Sequence, residues 1–219
     1  MNHIVPPSLL FDFRLPLQAC ESPSKKKTGP LLEFSDQHRL FVPSELNETP
    51  AFADIFAGWN ADGFGLKVCV HGKLEAASGD SKDLSISDAV LLWLDTRPTG
   101  DVHRATEYCH HFAIFPADEQ AKGKPSISQQ PIAQQRSTRI EFNGKQMSLR
   151  SKTTKTGYEL EVWIPTTQLH GFREVSDIGR LGFHCVVKDG HLGDQAFHLS
   201  GDFPTGYDPS TWITLELQQ

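Results

Sequence analysis

Alternation of apolar and polar side chains, punctuated by turn residues, dominates this chain. Phe64, Leu66, Val68 and Val70 fall on one side of an extended run, with Gly65, Lys67, Cys69 and His71 on the other, the period of a half-buried strand. Residues 158–164 repeat it: Tyr158, Leu160, Val162 and Ile164 share one face, Glu159, Glu161 and Trp163 the other. The stretch 86–118 holds two apolar runs, 89–94 and 108–115. Both are short and bounded by turn residues, which predicts two strands joined by a long loop. Further strands are predicted at 9–15, where Pro16 marks an edge or an end, and at 38–42, 54–59, 180–188 and 212–217.

Turn chemistry supplies the joints. Asn60-Ala61-Asp62-Gly63 predicts a hairpin between 54–59 and 64–70, with Asn and Asp beside Gly serving positive-φ positions. Asn143-Gly144 gives the strongest short hairpin signal, between 137–142 and 146–152. Residues 21–30, 44–50, 72–85, 119–136 and 189–210 read as loops, and 166–170 as one helical turn. Nine to eleven short strands predict an all-β fold, a two-sheet antiparallel β-sandwich with at most one or two short helical turns. No repeat recurs at a fixed spacing, which disfavours a propeller. One domain over residues 1–219 is expected.

Composition narrows the partners. At 219 residues and 38% hydrophobic content a single large core is affordable, and no apolar run approaches the ~20 residues that span a bilayer. No membrane partner is expected. A net charge of −6 argues against a nucleic-acid partner; the one basic run, Lys25-Lys26-Lys27, reads as a solvated loop. Four cysteines show no CxxC spacing, and Cys69, Cys109 and Cys185 sit in apolar runs as small buried hydrophobes. The first fifteen residues lack the basic-then-apolar secretory pattern, so a cytoplasmic location is the default expectation. The oligomeric state is left open.

Five stretches in order carry a resemblance: FAGWNADGFGLKVCVHGK, SDAVLLWLDTR, GYELEVWIP with a following Leu169, IGRLGFHCVVKD and DPSTWITLEL. Together, over about residues 53–217, they resemble the family 9 carbohydrate-binding modules and their DOMON-like relatives. The resemblance implies a jelly-roll type of sandwich, non-catalytic, often attached to enzymes acting on polysaccharides, with residues 1–50 as an extension packed on it. Sugar-binding members are similar in clamping a sugar between loop aromatics. Here Trp59, Trp93, Trp163 and Trp212 all fall in or at the end of predicted strands. A stand-alone structural or protein-interaction domain that has lost the sugar site is therefore the alternative.

Carbohydrate recognition needs flat aromatic faces and planar polar groups. The candidates are Trp93, on a face with Ala89, Leu91 and Asp95; Trp163, on a face with Glu159 and Glu161; and, in the last loop, Phe203 and Tyr207 beside Asp202 and Asp208, since loops carry binding residues. Interior packing is the competing role for the tryptophans, and closure of one end of the sandwich for the loop. His110 and His111 are neighbours on a strand and cannot both ligate one ion. His111 with Cys109 could meet His184 or Cys185 in a zinc-type set, but no spacing supports it and no metal site is expected. Asp62, Asp88, Asp95 and Asp101 could hold calcium through oxygen, which the resembled family often carries as a structural ion; turn capping is their preferred role. No cofactor is expected. GxSxG, P-loop and HExxH motifs are absent from the sequence, and its scattered carboxylates single out no glycosidase pair.

Overall fold

The computed structural model describes residues 5–48, 50–136 and 142–218. Its strands are β1 (Arg14–Leu17), β2 (Ala53–Asn60), β3 (Gly63–His71), β4 (Ala89–Asp95), β5 (Cys109–Asp118), β6 (Lys124–Gln129), β7 (Ser148–Thr153), β8 (Gly157–Pro165), β9 (Arg180–Asp189), β10 (Gly193–Ala196) and β11 (Ile213–Leu217). One short helix, α1 (Val175–Ile178), precedes β9, and single 3-10 turns punctuate the loops. The strands form two sheets. One runs β1-β11-β9-β4-β5-β6, with β10 also pairing β9; the other runs β2-β3-β8-β7. All pairs are antiparallel except β1 with β11.

Period-two patterning places the core. Phe64, Leu66, Val68 and Val70 of β3 and Tyr158, Leu160, Val162 and Ile164 of β8 face Val90, Leu92 and Leu94 of β4 and Leu181, Phe183, Cys185 and Val187 of β9 in one buried cluster. The alternation read in the sequence is thus the sandwich interior, the usual way two one-sided sheets hide their apolar faces.

Several boundaries differ from the sequence expectation. The strand foreseen at 9–15 is instead a 3-10 turn, Pro7–Leu10, followed by β1. Pro16 sits inside β1, tolerated because this edge strand has β11 as its single partner. Residues 38–42 form no strand; Arg39 makes one isolated bridge to Phe56. Two loops hide strands. β6 lies within 119–136 and β10 within 189–210. Their sequences, KPSISQ and GDQA, are mostly polar and carry no periodic apolar signal. Of the predicted strand 137–142, all but Phe142 lie outside the described residues. Asn143 does not open a two-residue hairpin: its side chain accepts the Lys145 amide at 3.1 Å and caps the 3-10 turn Gly144–Gln146.

The surface expected around Trp163 is covered. Leu31 and Leu32 pack on that tryptophan with Cys20 and Phe34. Their amides donate to the two oxygens of Glu161 at 2.8 and 3.1 Å.

Candidate functional site

Outward alternation in four adjacent strands builds a row across the larger sheet. Arg14 of β1 pairs with Thr214 of β11, Thr214 with Gly182 of β9, and Gly182 with Asp95 of β4. Gly182 forms the floor: a Cβ there would lie 3.0 Å from that of Asp95. Above it opens a cavity of about 330 Å³, bordered by residues 98–102 and 209–212, with Asp12 and Arg180 among its lining groups.

The charges in this trough are unequal. Asp95 is buried, and burial pushes its carboxyl up to about 6 against the opposing Arg97 amide and Cys109 thiol. Arg14 pairs with Asp12 at 3.3 Å and Glu216 at 3.8 Å. Arg180 is exposed and forms no ion pair among the described residues. Guanidinium, carboxylate and hydroxyl groups therefore converge on one space within the size range of small-ligand sites.

At the rim, Asp208 accepts from the Ser210 amide at 3.0 Å and the Ser210 hydroxyl at 2.6 Å, and faces His103 Nδ1 at 3.1 Å. Burial opposes its charge, yet the Ser210 and His103 contacts hold its carboxyl below the usual range. Ser210 Oγ lies 3.0 Å from the same His103 Nδ1. A proton relay needs the two imidazole nitrogens to serve acid and hydroxyl separately. One nitrogen touching both is a cap and not a triad.

The sequence candidates are dispersed. Trp93 is 5% exposed, stacked on His111 at 4.1 Å with His184 at 5.3 Å. Trp163 is 4% exposed on the outer face of the other sheet. Neither offers a free ring face, and the two cannot share a ligand. Tyr207, 40% exposed, and Asp208 directly precede the trough residues Pro209 and Ser210. Phe203 is part-exposed, and Asp202 accepts at the long distance of 3.5 Å from Ser200. The residues that sequence reasoning missed are Asp12, Arg14, Arg180 and Thr214.

The other candidate clusters also separate. Cys109, His111 and His184 share an outer face, but Trp93 stands between the two histidines and Cys185 points into the core. Asp62 lies at the β2–β3 turn, Asp95 in the trough and Asp101 in an exposed loop. Asp88 is buried against the Lys73 ammonium at 3.0 Å, which also pairs with Asp189. Among the described residues no three His, Cys, Asp or Glu side chains converge as a cation shell requires. None of their helices is long and apolar enough to cross a membrane.

No protein-family model and no curated protein matches the chain. Among solved structures it is similar to a family 9 carbohydrate-binding module from Caldicellulosiruptor kristjanssonii in complex with cellotriose: TM-score 0.59, 13% identity, 94% of each chain covered. It is also similar to one from the same organism in complex with glucose, with TM-score 0.57, 13% identity and coverage of 94% of this chain and 96% of the other. The likeness is one of fold over nearly the whole chain.

Proposed function

We propose that this chain, which has the fold of family 9 carbohydrate-binding modules, is a non-catalytic carbohydrate-binding module whose ligand lies in the trough above Gly182. The observation that carries the reading is the convergence of Arg14, Arg180, Asp12, Asp95 and Thr214 on one cavity. Sugar hydroxyls both donate and accept, and paired guanidinium and carboxylate groups meet both needs with charge-assisted bonds. Tyr207 at the rim is the exposed ring against which a pyranose face can stack.

Calorimetry against a panel of soluble neutral oligosaccharides tests the proposal. Binding is expected, and Arg180→Ala should weaken it by roughly tenfold or more, since a lost bond to a charged group costs about 1.5–3 kcal/mol. No heat at millimolar sugar removes the reading. A second reading, an interaction domain that has lost the sugar site, is favoured by the burial of Trp93 and Trp163; it gains if the panel is silent. New reducing ends released from any of the sugars would instead point to Asp95 as a general acid, its carboxyl standing near 6.

A further inference from the structure

A second cleft, on the opposite sheet and independent of the trough, carries a different chemistry. It measures about 530 Å³ and is lined by Lys27, Arg150, Lys152, Ser151 and Glu159, with Glu161 beneath. The lysine run that reads as a free solvated loop in the sequence is held in place. Ser24 N donates to Leu31 O at 2.8 Å and closes the loop. Arg150 donates to Lys26 O at 2.7 Å and also to Gly29 O. Glu161, the cross-strand partner of Arg150, takes the Leu31 and Leu32 amides. This clamp holds the loop so that Lys27 lines the cleft with Lys152, and neither lysine forms an ion pair among the described residues. In a chain of net charge −6, Lys27, Lys152 and Arg150 around one opening make a local anion-attracting field.

The floor refines the partner. Glu159 is part-exposed and paired with Lys67 at 3.3 Å, which leaves carboxylate lone pairs to accept hydroxyl protons. Among the described residues no aromatic ring lines the cleft, so stacked nucleobases find no platform there. We infer that this cleft binds an acidic oligosaccharide, in which carboxylate or sulfate groups meet the lysines and ring hydroxyls meet Glu159.

The test is calorimetry of the whole chain with a galacturonic-acid hexamer and with a chondroitin sulfate hexasaccharide, using a neutral glucan hexamer for comparison. The Lys27→Gln/Lys152→Gln double variant changes two exposed side chains, and circular dichroism checks that it folds. Binding of either acidic hexamer is expected to weaken about tenfold in the variant, and about tenfold from low to near-physiological salt. Neutral-sugar binding at the trough should stay unchanged, which separates failure here from failure of the proposed function. No binding of either acidic hexamer, or equal binding by the variant, overturns the inference. Inorganic polyphosphate binding as tightly, with the same loss in the variant, would assign the cleft to phosphate polyanions and overturn the sugar class.

Discussion

Single residues here act for reasons their identity alone does not announce. Gly63 reads as a positive-φ turn residue, yet neither it nor Ala61 or Asp62 has positive φ. It is glycine because a Cβ would press into the Ile164 carbonyl of β8, a contact between strands a hundred residues apart in sequence. Lys73 carries no motif at all. Its ammonium is buried between Asp88 and Asp189, which themselves hold the amides of Ser78, Gly190, His191 and Leu192. Lys73→Met strips both carboxylates of their counter-charge and should lower the unfolding free energy by about 3–5 kcal/mol. A urea titration showing a loss below about 1 kcal/mol would refute that account. Asp95 works the other way. Its carboxyl rises from 3.8 to about 6 through burial, so the folded state keeps a proton that the unfolded state has released between those values. Its contribution is fully present below about pH 3.8 and lost as pH rises through 6. Asp95→Asn keeps the oxygen that accepts the Arg97 amide and should stabilise the chain at pH 7 by about 2–3 kcal/mol, with no gain near pH 3.5.

Whole elements were legible where a strand packs an apolar face on the core or a turn signal marks it, the edge strand β2 included, and illegible where its side chains are mostly polar. β3, β4 and β8 border two neighbours and β9 three, and each packs one face on the core, so the apolar pattern of the sequence displays them directly. β6 and β10 border one neighbour each and present mostly polar side chains, so nothing in their composition separates them from loop. The trough falls between these cases. Alternation tells that Arg180, Gly182, Thr214 and Asp95 point away from the core; only the strand order β1-β11-β9-β4 makes them neighbours, and order is set by long-range pairing. The cover over Trp163 shows the same limit, because Glu161 binds amides 129 and 130 residues away. Glu161→Gln turns one acceptor into a donor facing an amide and should cost about 1–3 kcal/mol. Hydrogen exchange would then quicken at residues 24–34 and Trp163 emission shift to the red. Unchanged exchange there would mean that apolar packing alone holds the segment.

At the scale of the molecule, buried titrating groups set a pH window for the fold. His184 is fully buried, and burial, then nearby His198 and His111, push it from 6.5 down to about 3; burial chiefly pushes His110 to about 4, although its Nε2 faces the His170 carbonyl at 3.4 Å. A depressed histidine means that the folded state holds fewer protons than the unfolded one below about pH 6.5. Each then removes about 1.4 kcal/mol per pH unit as the medium is acidified, until the folded value is reached. Asp95 offsets one of the two between about pH 6 and 3.8. The net expectation is a stability that falls by about 1.4 kcal/mol per unit across that interval, is flat near pH 7–8, and falls again in alkali as the unfolded state releases thiol protons that the buried Cys20, Cys69, Cys109 and Cys185 keep. His184→Leu removes one of the two titrating rings while keeping an apolar side chain of similar size against Trp93. Urea unfolding at half-unit pH steps should show the variant nearly level between pH 6 and 4, where the native chain slopes. An undiminished slope in the variant would mean that His184 is solvated or hydrogen-bonded in solution, and that the stack over the larger sheet is more open than its burial implies.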